Sequence, residues 1–292
     1  MTEDRESKDN KNGNKERLSY LEKRERFVQE MQNANLFYDK LMSYVLGEKE
    51  VCQYVLRILT GDETIQLRTV HSQYHVSQLY SRDAVLDVLA EDTEGRLYLI
   101  EVQNPKTMDH PRRIRFYVSE VDSEYLRKGE TYHGLPNLWL FYLTPTDLFH
   151  IRRGVMHVDE GNRFIRESFQ TGQKITLINA AYDEGTEVSR LMQYFKETPA
   201  GDTSHGPLSD FINKIKGKGG RIMLTDYCDD IYEFGFGEGK AEGKAEGKAE
   251  GIDETRIEII RNVMKTLKIT VQEAMDILLI PTADQSKYLS ML

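Results

Sequence analysis

The sequence predicts a mixed α/β fold over residues 34–220, and three observations support this. Apolar residues recur at helical spacing between Leu36 and Leu59. Two strand-like runs, AVLDVLA (84–90) and RLYLIEVQ (96–103), flank a turn. A continuous apolar run, LWLFYL (138–143), is typical of a strand covered on both faces. Helix, hairpin, helix and strand in this order indicate a mixed sheet flanked by helices.

Composition and charge exclude several classes of protein. The 292 residues carry 39 Lys+Arg and 48 Asp+Glu, a formal net charge of −9, which argues against a uniformly basic surface but permits a local basic groove. No run approaches the roughly 18 apolar residues of a membrane helix. The first residues, MTEDRESKDNKNGNKER, do not resemble a secretory signal. Only Cys52 and Cys228 are present, too few for a disulfide scaffold or a cysteine-based zinc site. We expect a cytoplasmic protein without a membrane partner.

The elements before the hairpin are helical. Residues 1–33 form a polar charged tail that runs into a helix at Leu18–Met31. Gly47 divides the following apolar stretch into two helices, and Gly61-Asp62-Glu63 ends the second.

Beyond the hairpin, a helix is predicted from about Asp109 to Lys128, with Asp109 as its N-cap and Pro111 in its first turn. Shorter strands are predicted at 148–158, 163–169 and 174–181. Two further helices, at Glu187–Phe195 and Leu208–Lys216, complete the domain.

The last third of the chain has a different character. Residues 221–252 are assigned to a helix and a linker, because GEGKAEGKAEGKAEG (237–251) repeats every four residues. Two interpretations stay open for this repeat: a marginal helix, since each glycine costs about 1 kcal/mol relative to alanine, or a flexible charged spacer. Residues 253–292 form a helical C-terminal region, in which Thr270–Glu273 and Thr282–Gln285 resemble capping boxes. The repeat and these helices are candidates for homo-oligomer contacts.

The hairpin places two carboxylates opposite each other. If Thr93-Glu94-Gly95 is a three-residue loop with Gly95 left-handed, cross-strand partners sum to 188, so that Asp87 faces Glu101. Gln103 then lies two residues along on the same face. A four-residue loop would shift this register by one.

Facing carboxylates on an apolar hairpin require compensation. A raised pKa, a nearby arginine or a divalent cation can each provide it. Oxygen ligands alone favour Mg²⁺, or Mn²⁺, and such an ion takes phosphate oxygens as further ligands. The competing interpretation is that either carboxylate pairs with Arg113 or Arg115. We favour the metal site because the two carboxylates occur together with Gln103 and a basic segment.

The segment that follows the hairpin is basic. Lys106, Arg112, Arg113 and Arg115 occur with one acid, Asp109. Positive charge is disfavoured at a helix N-terminus, so this cluster indicates an anionic partner, with contacts to backbone phosphates rather than to bases.

Four segments in order carry a resemblance to a known family: LDVLAEDTEGRLYLIEVQ (86–103), PRRIRFYVSEV (111–121), LRKGETY (126–132) and the buried strand after them. This arrangement resembles the PD-(D/E)XK nuclease family transposases, also called Rpn recombination-promoting nucleases. The likeness is inferred from about Asn35 to the C-terminus, including the repeat. It implies a restriction-endonuclease-like core, Mg²⁺-dependent DNA cleavage, and a role in transposition or DNA recombination.

The resemblance also assigns roles to residues. It makes Asp87 and Glu101 metal ligands and places Gln103 in the motif's lysine position, as the third catalytic residue. The arginine and tyrosine of the family's next helix correspond to Arg113 and Tyr117, and Asp39 is the nearest acid on the first helix. Glutamine can hydrogen-bond water but supplies no charge. Two hypotheses follow: a metal-dependent DNA endonuclease, or a weak or inactive nuclease fold that binds DNA or protein.

Overall fold

The computed structural model of the protein divides into two compact units, one ending at Cys228 and one spanning Asp229–Leu292. It describes residues 19–76, 84–103, 110–126, 129–158 and 171–291, with backbone alone at 76, 84, 233–255, 282–284 and 286. The strand predicted at 163–169 and the side chains of Lys106 and Asp109 lie outside the described residues.

The first unit contains a six-stranded sheet with the strand order β1-β2-β3-β4-β6-β5. The sheet is mixed, as the sequence predicted. Strand β2 runs antiparallel to both β1 and β3, whereas β3, β4 and β6 run parallel to one another. Strand β5 pairs antiparallel with β6. The strands are β1 Leu67–Val76, β2 Ala84–Asp92, β3 Leu97–Val102, β4 Leu138–Thr144, β5 Val155–Val158 and β6 Gln173–Asn179.

Helices cover both faces of this sheet. The helices are α1 (19–33), α2 Asp39–Gly47, α3 Lys49–Thr60, α4 His110–Tyr125, α5 Glu187–Glu197, α6 Gly206–Lys216 and α7 Gly220–Leu267. A first core joins one sheet face to residues of α1, α2, α3, α5 and α6, whereas a second core joins the other face to α4. Coverage on both faces explains why β4 is a continuous apolar run.

The two helices predicted on either side of Gly47 are confirmed. Helix α2 ends at Gly47, and α3 ends before Gly61, which adopts a left-handed φ of 70°. Glycine reaches this conformation without the steric cost of a Cβ atom.

The predicted strand at 148–158 is too long. Only Val155–Val158 pairs with β6. The Asp147 carboxylate accepts hydrogen bonds from the backbone N–H groups of Ile151 and Arg152, at 3.0 Å each. A side chain that binds nearby backbone donors in this way competes with a strand ladder, so residues 145–154 form a loop.

The hairpin of β2 and β3 has the predicted register. Gly95 is left-handed, with a φ of 79°, and Asp92 N–H donates to the Arg96 carbonyl at 3.0 Å. Val88 pairs with Ile100, so partners sum to 188. The three-residue loop is therefore confirmed.

Asp92 holds this turn together. Its side chain is 1% exposed and accepts from the backbone N–H of Glu94 and Arg96, from Arg96 Nε at 2.6 Å and from the Tyr98 hydroxyl at 2.9 Å. Burial alone would raise the pKa of Asp92, but the hydrogen bonds from Arg96 and Tyr98 outweigh it and lower the pKa.

The second unit contains α7 from Asp229 onward with two further helices, α8 Val271–Ile277 and α9 Thr282–Leu289. Its core is formed by Ile257, Ile260, Ala274, Met275 and Tyr288. The capping box of Thr270 and Glu273 is confirmed, and α9 begins at Thr282 as predicted. Helix α7 includes the repeat, and none of the described helices is long and apolar enough to cross a membrane.

We expect Asp92→Ala to lower the free energy of unfolding by about 3 kcal/mol, because it leaves the buried Tyr98 hydroxyl and the Arg96 guanidinium without their acceptor. Urea denaturation followed by circular dichroism measures this. Glu94→Ala is the matched control, since its carboxylate is 70% exposed and lies 3.5 Å from Arg96. A change for Asp92→Ala no larger than that of the control would contradict the prediction.

Candidate active site

Asp87 and Glu101 lie opposite each other at the end of the β2–β3 ladder. The last backbone pair is Val88 with Ile100, and at the next position side chains replace carbonyl groups as acceptors. Asp87 N–H donates to Glu101 Oε1 at 3.0 Å, and Val102 N–H donates to Asp87 Oδ2 at 2.8 Å. The predicted juxtaposition is therefore present, with one oxygen of each carboxylate fixed by the opposite strand.

An irregularity in β1 lies beside Asp87. Gln73 has a φ of 49°. Ser72 pairs with Val88 and Tyr74 pairs with Leu86, but Gln73 and Asp87, which lie between them, do not pair. The register is the same on both sides of Gln73, so no residue is inserted there, and the pairing is interrupted at this one position.

The alternation of side chains along β2 is interrupted at Asp87. Val88 packs in the first core, whereas Leu86 packs in the second, although residues two apart in a regular strand share a face. Asp87 is the residue between them, so it occupies the point where the alternation is broken.

Burial makes the carboxylate pair electrostatically unfavourable. Glu101 is 0% exposed, and its Oε2 has no hydrogen-bond partner in the part of the chain that the structure describes. Burial, and then the charge of Asp87, raise the pKa of Glu101 well above its ordinary value. Burial also raises the pKa of Asp87, to about 6. The hydrogen bond from Val102 and the positive charge of Arg113 lower this pKa, whereas the negative charge of Asp39 raises it.

Arg113 and Tyr117 of α4 lie on the same side of the sheet as Glu101. Arg113 Nε donates to the Tyr117 hydroxyl at 2.6 Å, and the guanidinium carbon lies 5.1 Å from the centre of that ring. Burial first, and then the charge of Glu101, raise the pKa of Tyr117 to about 12. The positive charge of Arg113 acts in the opposite direction on both carboxylates and lowers their pKa values.

The interpretation that the carboxylates are neutralised by ion pairs is not supported. Among the residues that the structure describes, neither Arg113 nor Arg115 forms a salt bridge with Asp87 or Glu101. Arg113 is near enough to influence both groups, but its guanidinium is held by Tyr117. Within the described ranges, the pair therefore has no cationic side chain in direct contact.

Gln103 follows Glu101 on β3 and is buried, with its backbone N–H donating to the Leu143 carbonyl at 2.9 Å. It lies where the resemblance places the lysine of the motif. Arg112 and Arg115 are exposed on the first turns of α4, next to Arg113. These three arginines are brought to the side of the sheet that bears Glu101.

Tyr142 and His110 are site neighbours that the sequence did not predict. The parallel register of β3 and β4 sets Tyr142 beside Glu101, and its hydroxyl lies 2.7 Å from His110 Nδ1 at the start of α4. Burial raises the pKa of Tyr142. The sequence signal that could have identified Tyr142 was its polar hydroxyl group within an otherwise apolar strand.

The donor set fits a hard divalent cation bound partly through water. Within the described segments, no group of three or more His, Cys, Asp or Glu side chains is placed to hold a metal. Two carboxylates are nevertheless sufficient for an ion such as Mg²⁺, which keeps several waters and takes phosphate oxygens. Glu101 Oε2, buried and without a partner, is the atom that such an ion would satisfy.

The raised pKa values determine the pH dependence of stability. Between the ordinary and the raised pKa of a carboxyl group, the folded state binds more protons than the unfolded state, so stability falls as pH rises. For Asp87 this window extends from 3.8 to about 6, and for Glu101 it extends upward from 4.5. The metal-free pair therefore destabilises the fold most at neutral and alkaline pH.

We expect Glu101→Gln to raise the free energy of unfolding in EDTA by about 1–3 kcal/mol at pH 8, because it removes a buried charge while keeping the acceptor for Asp87 N–H. The gain should shrink as the pH is lowered toward 4.5, where wild-type Glu101 is protonated. Melting curves across this range measure it, with the exposed Glu94→Gln as control. A variant less stable than wild type at every pH would contradict the prediction.

Comparisons with known proteins were made by family, by sequence and by structure. No match was found among curated proteins or among solved structures. One family model matches residues 40–158, a segment that contains Asp87, Glu101 and Gln103. The inferred likeness beyond residue 158 stays a prediction. Over residues 40–158 the chain matches the PD-(D/E)XK nuclease family transposase, which confirms the resemblance seen in the sequence and indicates a nuclease or transposase function.

Proposed function

We propose that the protein is a DNA endonuclease that hydrolyses phosphodiester bonds with the help of Mg²⁺ or Mn²⁺. The observation that carries this proposal is the buried Glu101 Oε2, which has no partner among the described residues and lies in a carboxylate pair with raised pKa values. Such a pair is costly unless a cation binds it. The match to a nuclease and transposase family supports the same chemistry.

Asp87 and Glu101 would hold the ion through Oδ1 and Oε2, since Oδ2 and Oε1 already accept backbone N–H groups. These backbone bonds orient both carboxylates before any ligand arrives, which reduces the reorganisation needed on binding. The bound ion would polarise the phosphodiester and lower the pKa of the attacking water.

The remaining residues position the substrate. The Gln103 amide can accept a hydrogen bond from water and orient it, but it brings no charge. Arg113, fixed by Tyr117 and not neutralised by a described carboxylate, supplies positive charge for the scissile phosphate. Arg112, Arg115 and Lys106 would contact neighbouring phosphates, so DNA is held through its backbone.

Gln103 favours a second candidate function, in which the fold binds DNA or protein with little or no catalysis. Losing a positive charge at the lysine position can cost orders of magnitude in rate. Metal binding and cleavage must therefore be measured separately.

The second unit is the part of the chain that we propose for self-association. Apolar side chains of this unit are exposed, with Leu279 87% and Ile277 56% accessible. Exposed apolar residues close together are typical of contact surfaces.

Cleavage of supercoiled plasmid tests the endonuclease proposal. We expect nicking or linearisation by the wild-type protein with Mg²⁺ or Mn²⁺, none in EDTA, and at least a roughly hundredfold loss in Asp87→Asn and Glu101→Gln. Both variants keep side-chain shape, and Glu94→Gln controls for the loss of a carboxylate elsewhere on the hairpin. Equal activity of wild type and both variants would refute the assigned roles.

Thermal stability tests metal binding without cleavage. An ion that binds only the folded state raises the free energy of unfolding, and with it the melting temperature. The increase in free energy is about 2.7 kcal/mol when the ion concentration is 100 times the dissociation constant. We expect Mg²⁺ and Mn²⁺ to stabilise wild type and Glu94→Gln but not Glu101→Gln. A folded protein that shows the metal-dependent shift yet cleaves no DNA would favour the binding function.

A further inference from the structure

A loop at residues 145–154 leaves β4 at the same end of the sheet as the candidate site. Strands β3 and β4 are parallel, with Glu101 beside Tyr142 and Val102 beside Leu143. The chain leaves β4 after Thr144, two residues beyond Tyr142. The loop therefore begins next to the end of β3 that bears Glu101 and Gln103.

Phe149 packs this loop against the wall of the site. Its ring centre lies 6.0 Å from that of His110, at the start of α4, and 6.2 Å from that of Tyr142. His110 and Tyr142 are themselves linked at 2.7 Å. These contacts place the loop beside the helix start that carries Arg112 and Arg113.

The loop conformation is fixed before any ligand binds. Asp147 accepts from the backbone N–H of Ile151 and Arg152, and the Tyr182 hydroxyl donates to the same carboxylate at 3.4 Å. His150 and Arg152 have φ values of 54° and 55°, which this clamp maintains. A preformed loop loses less conformational entropy on binding than a mobile one.

The exposed charge of the loop is positive. Arg152 and Arg153 are both exposed, and neither forms a salt bridge with any residue in the described part of the chain. The one acid of residues 145–154, Asp147, is occupied by backbone donors. In a chain of net charge −9, two basic segments thus lie side by side at this end of the sheet: this loop and the start of α4.

The aromatic side chains favour duplex over single-stranded DNA. Single strands are commonly held by bases stacked on exposed aromatic rings. Among the described residues the exposed aromatic rings are Tyr132 and Tyr232. Tyr132 precedes β4, at the other end of that strand, and Tyr232 belongs to the second unit. Contacts near the site are therefore with the backbone.

We propose that the loop 145–154 is part of the DNA-binding groove, in which Arg152 and Arg153 contact backbone phosphates of duplex DNA. This inference rests on the proposed function, because it adds contacts to the same substrate. The loop and the start of α4 would together form one continuous basic surface that holds the backbone next to the bond to be cleaved. The contacts give affinity without base specificity.

Fluorescence anisotropy with a labelled DNA duplex tests the inference in the full chain, in EDTA and with Ca²⁺, at several salt concentrations. The double variant Arg152→Ala/Arg153→Ala should bind roughly 10- to 100-fold more weakly. The slope of log binding constant against log salt concentration should become less steep by about 2, because each lost phosphate contact contributes about 0.9. Arg152→Lys/Arg153→Lys should restore most of the affinity, because phosphate contacts depend chiefly on charge.

The matched control is Lys49→Ala/Lys214→Ala, which removes two exposed charges from α3 and α6, the helices of the first core on the opposite sheet face. This control should bind like wild type. Melting temperatures close to that of wild type would show that all variants are folded.

Three outcomes overturn the inference. If the alanine pair binds like wild type while Arg113→Ala weakens binding, the loop is not part of the groove but the proposed function stands. If the control loses as much affinity as the loop variant, only overall charge matters. If the wild-type protein binds no duplex in either condition, the DNA-directed function fails together with the inference.

Discussion

The geometry of the first unit depends on the way in which two carboxylates end a β-ladder. At Asp87 and Glu101, side-chain oxygens take the backbone N–H groups that carbonyls would otherwise accept. This requires both side chains to lie within the sheet, where desolvation raises their pKa values. A fold that maximised its own stability would place apolar residues here, since a buried charge is rarely the most stable choice. This cost supports the proposal that a cation binds here.

Neighbouring elements are arranged around that constraint. The β1–β2 pairing is interrupted at Gln73, opposite Asp87, while the parallel register sets Tyr142 next to Glu101. Tyr142 is linked to His110, which fixes the start of α4 and with it Arg113. Each of these contacts supports the next, so the carboxylates, the guanidinium and the helix start form one connected unit. Such a connected arrangement keeps a site preorganised.

Local patterns were enough to predict the hairpin but not its surroundings. The register followed from Gly95, because a three-residue loop with a left-handed glycine leaves only one pairing. The loop at 145–154 was mistaken for a strand, since the hydrogen bonds of Asp147 to its own backbone leave no trace in the alternation of side chains. The place of Tyr142 depended on the relative direction of β3 and β4, which the sequence does not encode locally.

The location of positive charge gives meaning to Gln103. A lysine there would be buried, and desolvation penalises a buried ammonium group. Arg113 instead acts on the pair from α4, where its charge lowers the pKa of Asp87 and of Glu101 without forming a salt bridge to either. Because its Nε donates to Tyr117, the guanidinium is oriented, and no carboxylate in the described part of the chain forms a salt bridge with it. In the proposed endonuclease, positive charge from Arg113 would take the place of the motif lysine, so a neutral amide at position 103 would still permit cleavage.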